Sequence, residues 1–453
     1  MIKQENRKLY RRVFLLALPI ALQNLISSCL GLLDNLMVGA LGEAELAAVG
    51  VGTQLSFLHW MMLFGFTSGC STFMAQYYGA NDMHSIRKTV GFAFSVAFSV
   101  SIIFFIAANC FTGEIVSIFT DIPEALPLAE EYLRTGSPTF LLIAVTVPLT
   151  AGLRTTQQTQ LPLYISTTAF LTNTIMNYIL IFGNFGAPEL GVRGAAVATV
   201  ISRSLEAGLI LFVIFALRNK IAGPLREFFG FDRKFVIPVV KNAIPTTLNE
   251  SLWGLGTSMF TVAFAHMSVT AYAAVQASDT IKNVFMMAGF SIGDAALILI
   301  GQKLGERDKE EAFTLAVRLL RVDIIIGVIA GVLLALMAPV MAGFFNFTPL
   351  GNVYAIRIIW VYALFLPVNL VIGYAITGVL RGGGDTTYAM TRELACVWLI
   401  GVPIAFISTM LLNLPVYLAV LCVRAGELTE VIILVRRIFS KKWLNIVIDI
   451  DEK

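Results

Sequence analysis

Polar and apolar positions along this chain segregate on the scale of whole helices. Apolar stretches of about 20 residues, each able to cross a hydrocarbon core of about 30 Å at 1.5 Å per helical residue, recur from end to end. They fall near 13–38, 46–73, 90–112, 132–153, 162–183 and 192–217, then near 236–264, 271–300, 314–343, 353–380, 392–412 and 414–436. The pattern predicts an all-α integral membrane protein of about twelve transmembrane helices, six plus six. Composition agrees, since 57% of the 453 residues are hydrophobic and only 13% charged, against about 25% charged in a soluble domain.

Charge fixes the expected orientation. Lys3, Arg7, Lys8, Arg11 and Arg12 precede the first span; Arg87 and Lys88 lie between spans 2 and 3. Arg218, Lys220, Arg226, Arg233 and Lys234 fill the central linker, Lys303, Arg307 and Lys309 the 8–9 connection, and Arg436, Arg437, Lys441 and Lys442 the C-terminus. All fall on one side, while the 3–4 connection opposite carries Glu114, Asp121, Glu124, Glu130 and Glu131 against Arg134. The positive-inside rule then places both termini in the cytoplasm of a cell whose plasma (inner) membrane the chain crosses many times. The first span is too long for a secretory signal and lacks a small-residue cleavage site, so it reads as retained. The net charge of +3 reads as inside loops facing an anionic leaflet, with no basic domain for a nucleic acid. Cys29, Cys70, Cys110, Cys396 and Cys422 read as packing residues.

The two series of spans repeat. Pro19 maps to Pro245, Ala47-Ala48-Val49 to Ala273-Ala274-Val275, Gln76 to Gln302, Gly79 to Gly305 and Asp82 to Asp308, each at an offset of 226. Leu153-Arg154 maps to Leu380-Arg381 and Thr159 to Thr386 at 227, and Arg203-x-x-Glu206 to Arg424-x-x-Glu427 at 221. Six helices separate the copies, so both have the same orientation in the membrane. This predicts two pseudo-symmetric six-helix lobes, 1–217 and 236–453, joined by a cytoplasmic linker at 218–235, around a central cavity that opens alternately to each side.

Ionisable residues inside spans are costly and usually functional. Asp34, Asn173, Asn177 and Thr199 sit at similar depth on spans 1, 5 and 6. One carboxylate, two amides and a hydroxyl suit a small cation such as Na⁺, or the Asp34 carboxyl takes a proton instead. Packing alone is the plain alternative. Glu250, near mid-span beside Asn249 and close to Trp253, is placed to attract a cationic, apolar substrate by charge and cation–π contact, or else is an acid hydrogen-bonded between helices. Asp279 and Lys282, spaced i,i+3, read first as an ion pair, with Asp279 also a candidate cavity residue. The two Arg-x-x-Glu pairs read as neutralised within their helices. The Leu380 to Thr386 turn carries three glycines suited to a sharp reversal, not a phosphate loop.

These residues resemble the multidrug and toxic compound extrusion (MATE) family, and the likeness runs over nearly the whole chain. It rests on Leu18-Pro19 and Ile244-Pro245, Leu33 to Gly39, Ala47-Ala48-Val49, Gln76 to Ala80, Asn177 to Gly183, Gly194 to Thr199 and Leu380 to Thr386. The resemblance implies a Na⁺- or H⁺-driven antiporter that expels cationic, often aromatic compounds. It makes Asp34, Asn173, Asn177 and Thr199 the first-lobe cation site (Na⁺ held by Asp34, Asn173 and Asn177) and Glu250 the second-lobe acid of the NorM-like branch. Asn177 stands where the archaeal-type branch has a second Asp, which leaves one formal charge there. Arg154 to Thr159 replaces the Gly-Asp-Thr turn of many relatives, so that corner differs.

Two other functions and one other energy source compete. A flippase for lipid-linked substrates needs several basic cavity residues, whereas Lys282 is the one well inside the predicted outer half, which favours a small organic cation as cargo. An intramembrane enzyme lacks ligands: His59, His84 and His266 form no HExxH pattern. ATP as direct energy source lacks a nucleotide motif. The expected protein is therefore a lipid-embedded transporter and not an enzyme, without a cofactor beyond its coupling ion and complete as a single chain.

Overall fold

The computed structural model describes residues 2–120, 122–345 and 347–448. Asp121 lies outside the described residues, as do the side chains of Lys3, Arg7 and Lys8. All regular structure among them is helical. The first half runs α1 (Ile2–Gly39), α2 (Glu43–Gly79), α3 (Met83–Cys110), α4 (Thr112–Phe119), α5 (Leu126–Gly136), α6 (Pro138–Thr155), α7 (Gln160–Phe182) and α8 (Gly191–Leu211). A short α9 (Leu225–Phe229) lies in the linker. The second half runs α10 (Arg233–Ala265), α11 (Val269–Gly305), α12 (Lys309–Ala342) and α13 (Pro349–Gly373), then α14 (Thr386–Ala395), α15 (Val402–Phe406) and α16 (Val416–Phe439). Wider π-helical turns at Tyr374–Arg381, Cys396–Gly401 and Ile407–Leu411 extend α13 and fuse α14 with α15.

Ten of these rods are long and apolar enough to cross a membrane. Two more, α10 of 33 and α16 of 24 residues, are long enough but carry Lys241 and Glu250, or Arg424, Glu427 and Glu430. Counting them, the twelve spans read from the sequence are all present as helices. The fourth departs from the expected 132–153, because Ser137 and Pro138 divide it into α5 and α6. Proline at a first helical position lacks only an N–H that would be unbonded there, so it starts a new helix. The acidic 3–4 connection is itself folded, as α4 and the start of α5.

Identical turn chemistry recurs in the two halves. Asp82 caps α3 by accepting from the Ser85 N–H at 3.0 Å, and Asp308 caps α12 by accepting from Glu311 at 2.8 Å. The residue before each cap, Asn81 or Arg307, has a left-handed backbone (φ 58° and 64°). A carboxylate at the N-cap satisfies amides the helix cannot, so the same Asp at the same offset starts the same element twice.

The chain forms two compact units. One comprises 22–74 and 82–239, the other 1–21, 75–81 and 240–453; the start of α1 and the end of α2 thus belong with the second series of helices. In the first unit, α3 packs on α6 and α7 on α8, with Arg87 tying the linker down. Its guanidinium donates to the Lys220 and Ile221 carbonyls at 3.2 Å each and to Glu227 at 2.8 Å. That hydrogen bond holds the Glu227 carboxyl below its usual range, with the Arg87 and His84 charges adding to it.

The core of the second unit joins α11, α12, α13 and α16 around Leu299, Leu319, Tyr374 and Trp443. Gly79 and Gly305 allow close contact, since a Cβ on Gly79 would lie 2.0 Å from the Gln302 carbonyl oxygen and one on Gly305 1.9 Å from that of Gln76. The segment after α16 folds back beneath the glycine turn. Trp443 is fully buried and donates to the Ile438 carbonyl at 2.8 Å, while the Gln76 amide donates to Asn445 O at 3.1 Å and accepts from Val447 N at 2.9 Å.

Two outcomes follow from these contacts. Trp443→Ala is expected to cost roughly 3–5 kcal/mol by leaving a cavity, read as a lowered melting temperature of the detergent-solubilised protein. Because the Glu227 carboxyl is depressed in the folded state, its contribution is present above the ordinary carboxylate range and lost as pH falls through the folded value. Protection of linker amides at 220–229 against hydrogen exchange, taken relative to the intrinsic rate at each pH, should therefore fall on acidification, and Glu227→Gln should remove that dependence.

Candidate functional site

Asn173 and Asn177 lie one turn apart on α7 and project on one face. Asn177 Nδ2 donates to Asp34 Oδ1 of α1 at 2.5 Å and to Asn173 Oδ1 at 3.0 Å. Asn173 Nδ2 in turn donates to the Thr199 hydroxyl of α8 at 3.4 Å, and that hydroxyl donates to the Ala195 carbonyl at 3.0 Å. The structure thus gathers all four residues into one chain of contacts. Asn177 is 0% and Asn173 1% exposed, and the Asn177 side-chain oxygen has no hydrogen-bond partner among the described residues. An orphaned buried acceptor beside a carboxylate is what a proton donor or a small hard cation would satisfy. Two residues outside the sequence-derived set, Tyr132 of α5 and Arg203 of α8, also lie within electrostatic reach of Asp34.

Below this cage the first half holds a relay of matched polar groups. Arg154 donates to Gln23 Oε1 at 2.6 Å, Gln23 Nε2 to the Ser166 hydroxyl at 2.9 Å, and Ser166 to Glu206 at 3.0 Å. Arg203 closes it on Glu206 at 2.6 Å, as the i,i+3 spacing predicted. The corner at Arg154 to Thr159 bonds instead to the linker, Gln158 and Asn219 exchanging amide hydrogen bonds at 3.1 and 2.6 Å.

In the second half, Arg381 turns inward from the glycine turn and pairs with Glu250, its side chain 2% exposed. The wide π-helical turns ending at Arg381 bring that guanidinium off the expected surface turn; sequence periodicity holds no sign of them. Asn249, next to Glu250, donates to Glu393 at 2.6 Å. Trp253, a turn further along α10, is half-buried. Glu250 is thus a paired acid, with a guanidinium as its immediate partner.

Asp279 and Lys282 form the expected ion pair, at 2.6 Å. Lys282 lies over the Tyr362 ring at 4.7 Å and Arg424 over the same ring at 5.1 Å. Arg424 pairs with Glu427, which also accepts from Asn369 at 2.7 Å. Two cations and two carboxylates around one phenol make a charge-balanced cluster between α11, α13 and α16. The sequence reading passed over Asp323, Glu393 and Glu430, all inside apolar spans. Their only linear signal is an acid in an otherwise apolar stretch. No group of three or more His, Cys, Asp or Glu residues suited to a metal occurs among the described residues.

Removing one partner of a buried pair leaves an uncompensated charge. Arg381→Met is expected to destabilise the protein by roughly 3–5 kcal/mol, and adding Glu250→Gln should recover most of that loss. Thermal unfolding of the two single variants and the double variant checks this; simple additivity would show that the two side chains are uncoupled.

Comparison with known proteins bears on identity. The MatE family profile matches twice, at residues 19–179 and 245–407, more than half of the chain and one match in each half. A probable multidrug resistance protein NorM of Thermotoga maritima is 25% identical over 419 residues, covering 89% of this chain and 87% of that protein. The uncharacterized transporter YisQ of Bacillus subtilis is 23% identical over 438 residues, 96% and 95% of the two chains. The multidrug resistance protein MdtK of Yersinia enterocolitica is 25% identical over 411 residues, 88% and 87% of the two. Among solved structures, an outward-facing multidrug resistance MATE family transporter of the MOP superfamily superposes with a TM-score of 0.87 at 18% identity, covering 95% of this chain and 96% of that one. A MOP superfamily transporter from Pyrococcus furiosus gives 0.86 at 18% identity over the same shares. The twofold profile match, in register with the internal repeat, shows that this chain belongs to the MatE family and is a multi-pass membrane transporter of the NorM-like kind, not an enzyme.

Proposed function

We propose that the chain is a secondary antiporter that exports small cationic, aromatic-bearing organic compounds in exchange for Na⁺ or H⁺, by exposing its binding residues alternately to the two faces of the membrane. One observation carries this reading: the Asp34 carboxylate meets Asn177 and, through it, Asn173 and Thr199, with the Asn177 oxygen left over as an unused acceptor. Oxygen atoms of Asp34, Asn173, Asn177 and Thr199 would hold the ion. A bound Na⁺ would supply one compensating charge; a proton would supply the missing donor. In either case the cage is an anion when empty and neutral when filled, so its occupancy changes the cost of moving it through a low-dielectric layer. The multidrug resistance relatives support export of compounds.

Glu250, with Trp253 nearby, and Asp279 are the substrate-facing acids in this reading. Each already has a cationic partner, Arg381 or Lys282, so a cationic cargo competes with a side chain for the carboxylate. Such exchange keeps the acid compensated whether cargo is present or absent. The basic segments at both termini and in the linker support a cytoplasmic location for both, in a plasma membrane. Nothing in the cage requires a second chain, so a monomer suffices.

The test uses full-length protein in proteoliposomes, a fluorescent cationic dye, and Na⁺ and pH gradients imposed one at a time. Wild type should move dye under at least one gradient, and Asp34→Asn should fall to background under both while still binding dye. Gradient-driven transport by Asp34→Asn at the wild-type rate would remove Asp34 from the coupling step.

A further inference from the structure

Two carboxyls exist only in the second half. Gln23 corresponds to Asn249 at an offset of 226 and Ser166 to Glu393 at 227 (393 − 166 = 227). The geometry confirms the match, because each amide donates to the corresponding side chain, at 2.9 Å to Ser166 and at 2.6 Å to Glu393. Glu430 lies one turn past Glu427 on α16, where an offset of 221 gives Leu209 in the first half. A template that folds with Ser and Leu at these positions has no structural need for two acids there.

The surroundings do not compensate both. Glu430 is 5% exposed, lies within electrostatic reach of Glu393 and Glu427, and its Oε1 has no hydrogen-bond partner among the described residues. Asn249 is 2% exposed; its Nδ2 is held by Glu393 and its Oδ1 has no partner among the described residues. Around the two acids stand Glu250 of α10, Arg381 at the end of the π-helical turns, and Arg424 and Glu427 of α16. The segment that carries Glu393 adds Cys396 and Arg392, the latter exposed and lying over the Tyr388 ring at 5.2 Å. Arg424 and Glu427 cancel each other. Glu250 and Glu393 then share Arg381 while Glu430 faces Glu393, so three acids against one guanidinium leave two negative charges in excess. An uncompensated charge within the membrane costs at least a few kcal/mol, and two neighbouring carboxylates in low dielectric do not both ionise. Two orphaned acceptors, Asn249 Oδ1 and Glu430 Oε1, call for a donor.

We propose that Glu393 and Glu430 hold one exchangeable proton between them, forming an ion-binding site in the second half that is separate from the Asp34 cage. On loading, hydronium gives its proton to one carboxylate and leaves as water; the new O–H donates to the other carboxyl or to Asn249 Oδ1. On release the proton returns to water. Glu393 lies seven residues beyond Thr386 and Glu430 nine before Phe439, about 10 and 14 Å from those helix ends. Both ends adjoin the glycine turn and the docked C-terminal segment, so the proton exchanges with the face that carries the C-terminus. This inference stands whether or not Asp34 is the coupling residue.

The test is infrared difference spectroscopy of the purified full chain in lipid nanodiscs as pH is raised, combined with dye export by proteoliposomes. Wild type and Asp34→Asn should share a protonated-carboxyl C=O signal that is lost in E393Q and in E430Q. The E393Q/E430Q double variant should also lose the dependence of export on pH at the C-terminal face under a fixed Na⁺ gradient. Glu393→Ser and Glu430→Leu, which install the first half's residues, guard against misfolding and should lack the same signal. A signal that survives in the double variant, that disappears in Asp34→Asn alone, or that responds to added Na⁺ at constant pH would overturn the proposal. Loss of transport in Asp34→Asn with the signal intact tests only the coupling role of Asp34.

Discussion

A charge in hydrocarbon must be cancelled by something within reach, and that requirement organises this molecule more than any other. Water cannot solvate a side chain in the middle of a span, so each buried ion needs a counter-ion, a set of dipoles or a proton. Arg203 with Glu206, Arg424 with Glu427 and Lys282 with Asp279 meet it along single helices, with Nζ or Nη contacts such as the 2.6 Å from Lys282 to Asp279. Arg381 with Glu250 meets it across helices. Asp34 meets it mainly with amide and hydroxyl dipoles, the nearby Arg203 being already paired with Glu206. Dipoles stabilise a carboxylate less than a full counter-charge does, and the proposed uptake of a mobile ion by this cage rests on that difference.

Duplication supplies the scaffold on which those charges are varied. The caps Asp82 and Asp308, the left-handed residues before them and the close Gly79 and Gly305 contacts recur because backbone geometry does not depend on what the helices carry. The polar relays differ because side chains at matched positions differ. Arg154 meets Gln23 in one copy and Arg381 meets Glu250 in the other; Ser166 receives an amide in one and Glu393 in the other. With Asp34 counted, the first copy balances two guanidiniums with two carboxylates, whereas the second retains excess acid, from a common architecture. Specialisation of the halves is therefore a matter of a few charges, not of fold.

Much of this was legible in the sequence for a physical reason: hydrocarbon acts on each helix separately. A stretch of the right length and apolarity is a span whatever its neighbours do, so the twelve rods, the repeat and the i,i+3 pairs at Arg203, Arg424 and Lys282 follow from linear spacing. The shared depth of Asp34, Asn173, Asn177 and Thr199 follows too, because rise per residue converts position into depth. The break at Ser137-Pro138 was visible as a proline but lay inside an apolar run, where hydropathy outweighed it.

What only the tertiary structure decided was which partners meet across helices. Rotation of a helix about its axis and the wide turns before Arg381 and beyond Glu393 are not set by hydropathy, since any face can meet lipid or protein at similar cost. The pairing of Arg381 with Glu250, the seat of Glu393 beside Asn249 and the docking of Trp443 under the glycine turn all depend on those rotations. The sequence by itself determined that charges lie in the membrane and at what depth. Packing determined which of them are cancelled, because cancellation acts over a few ångströms between residues far apart in the chain.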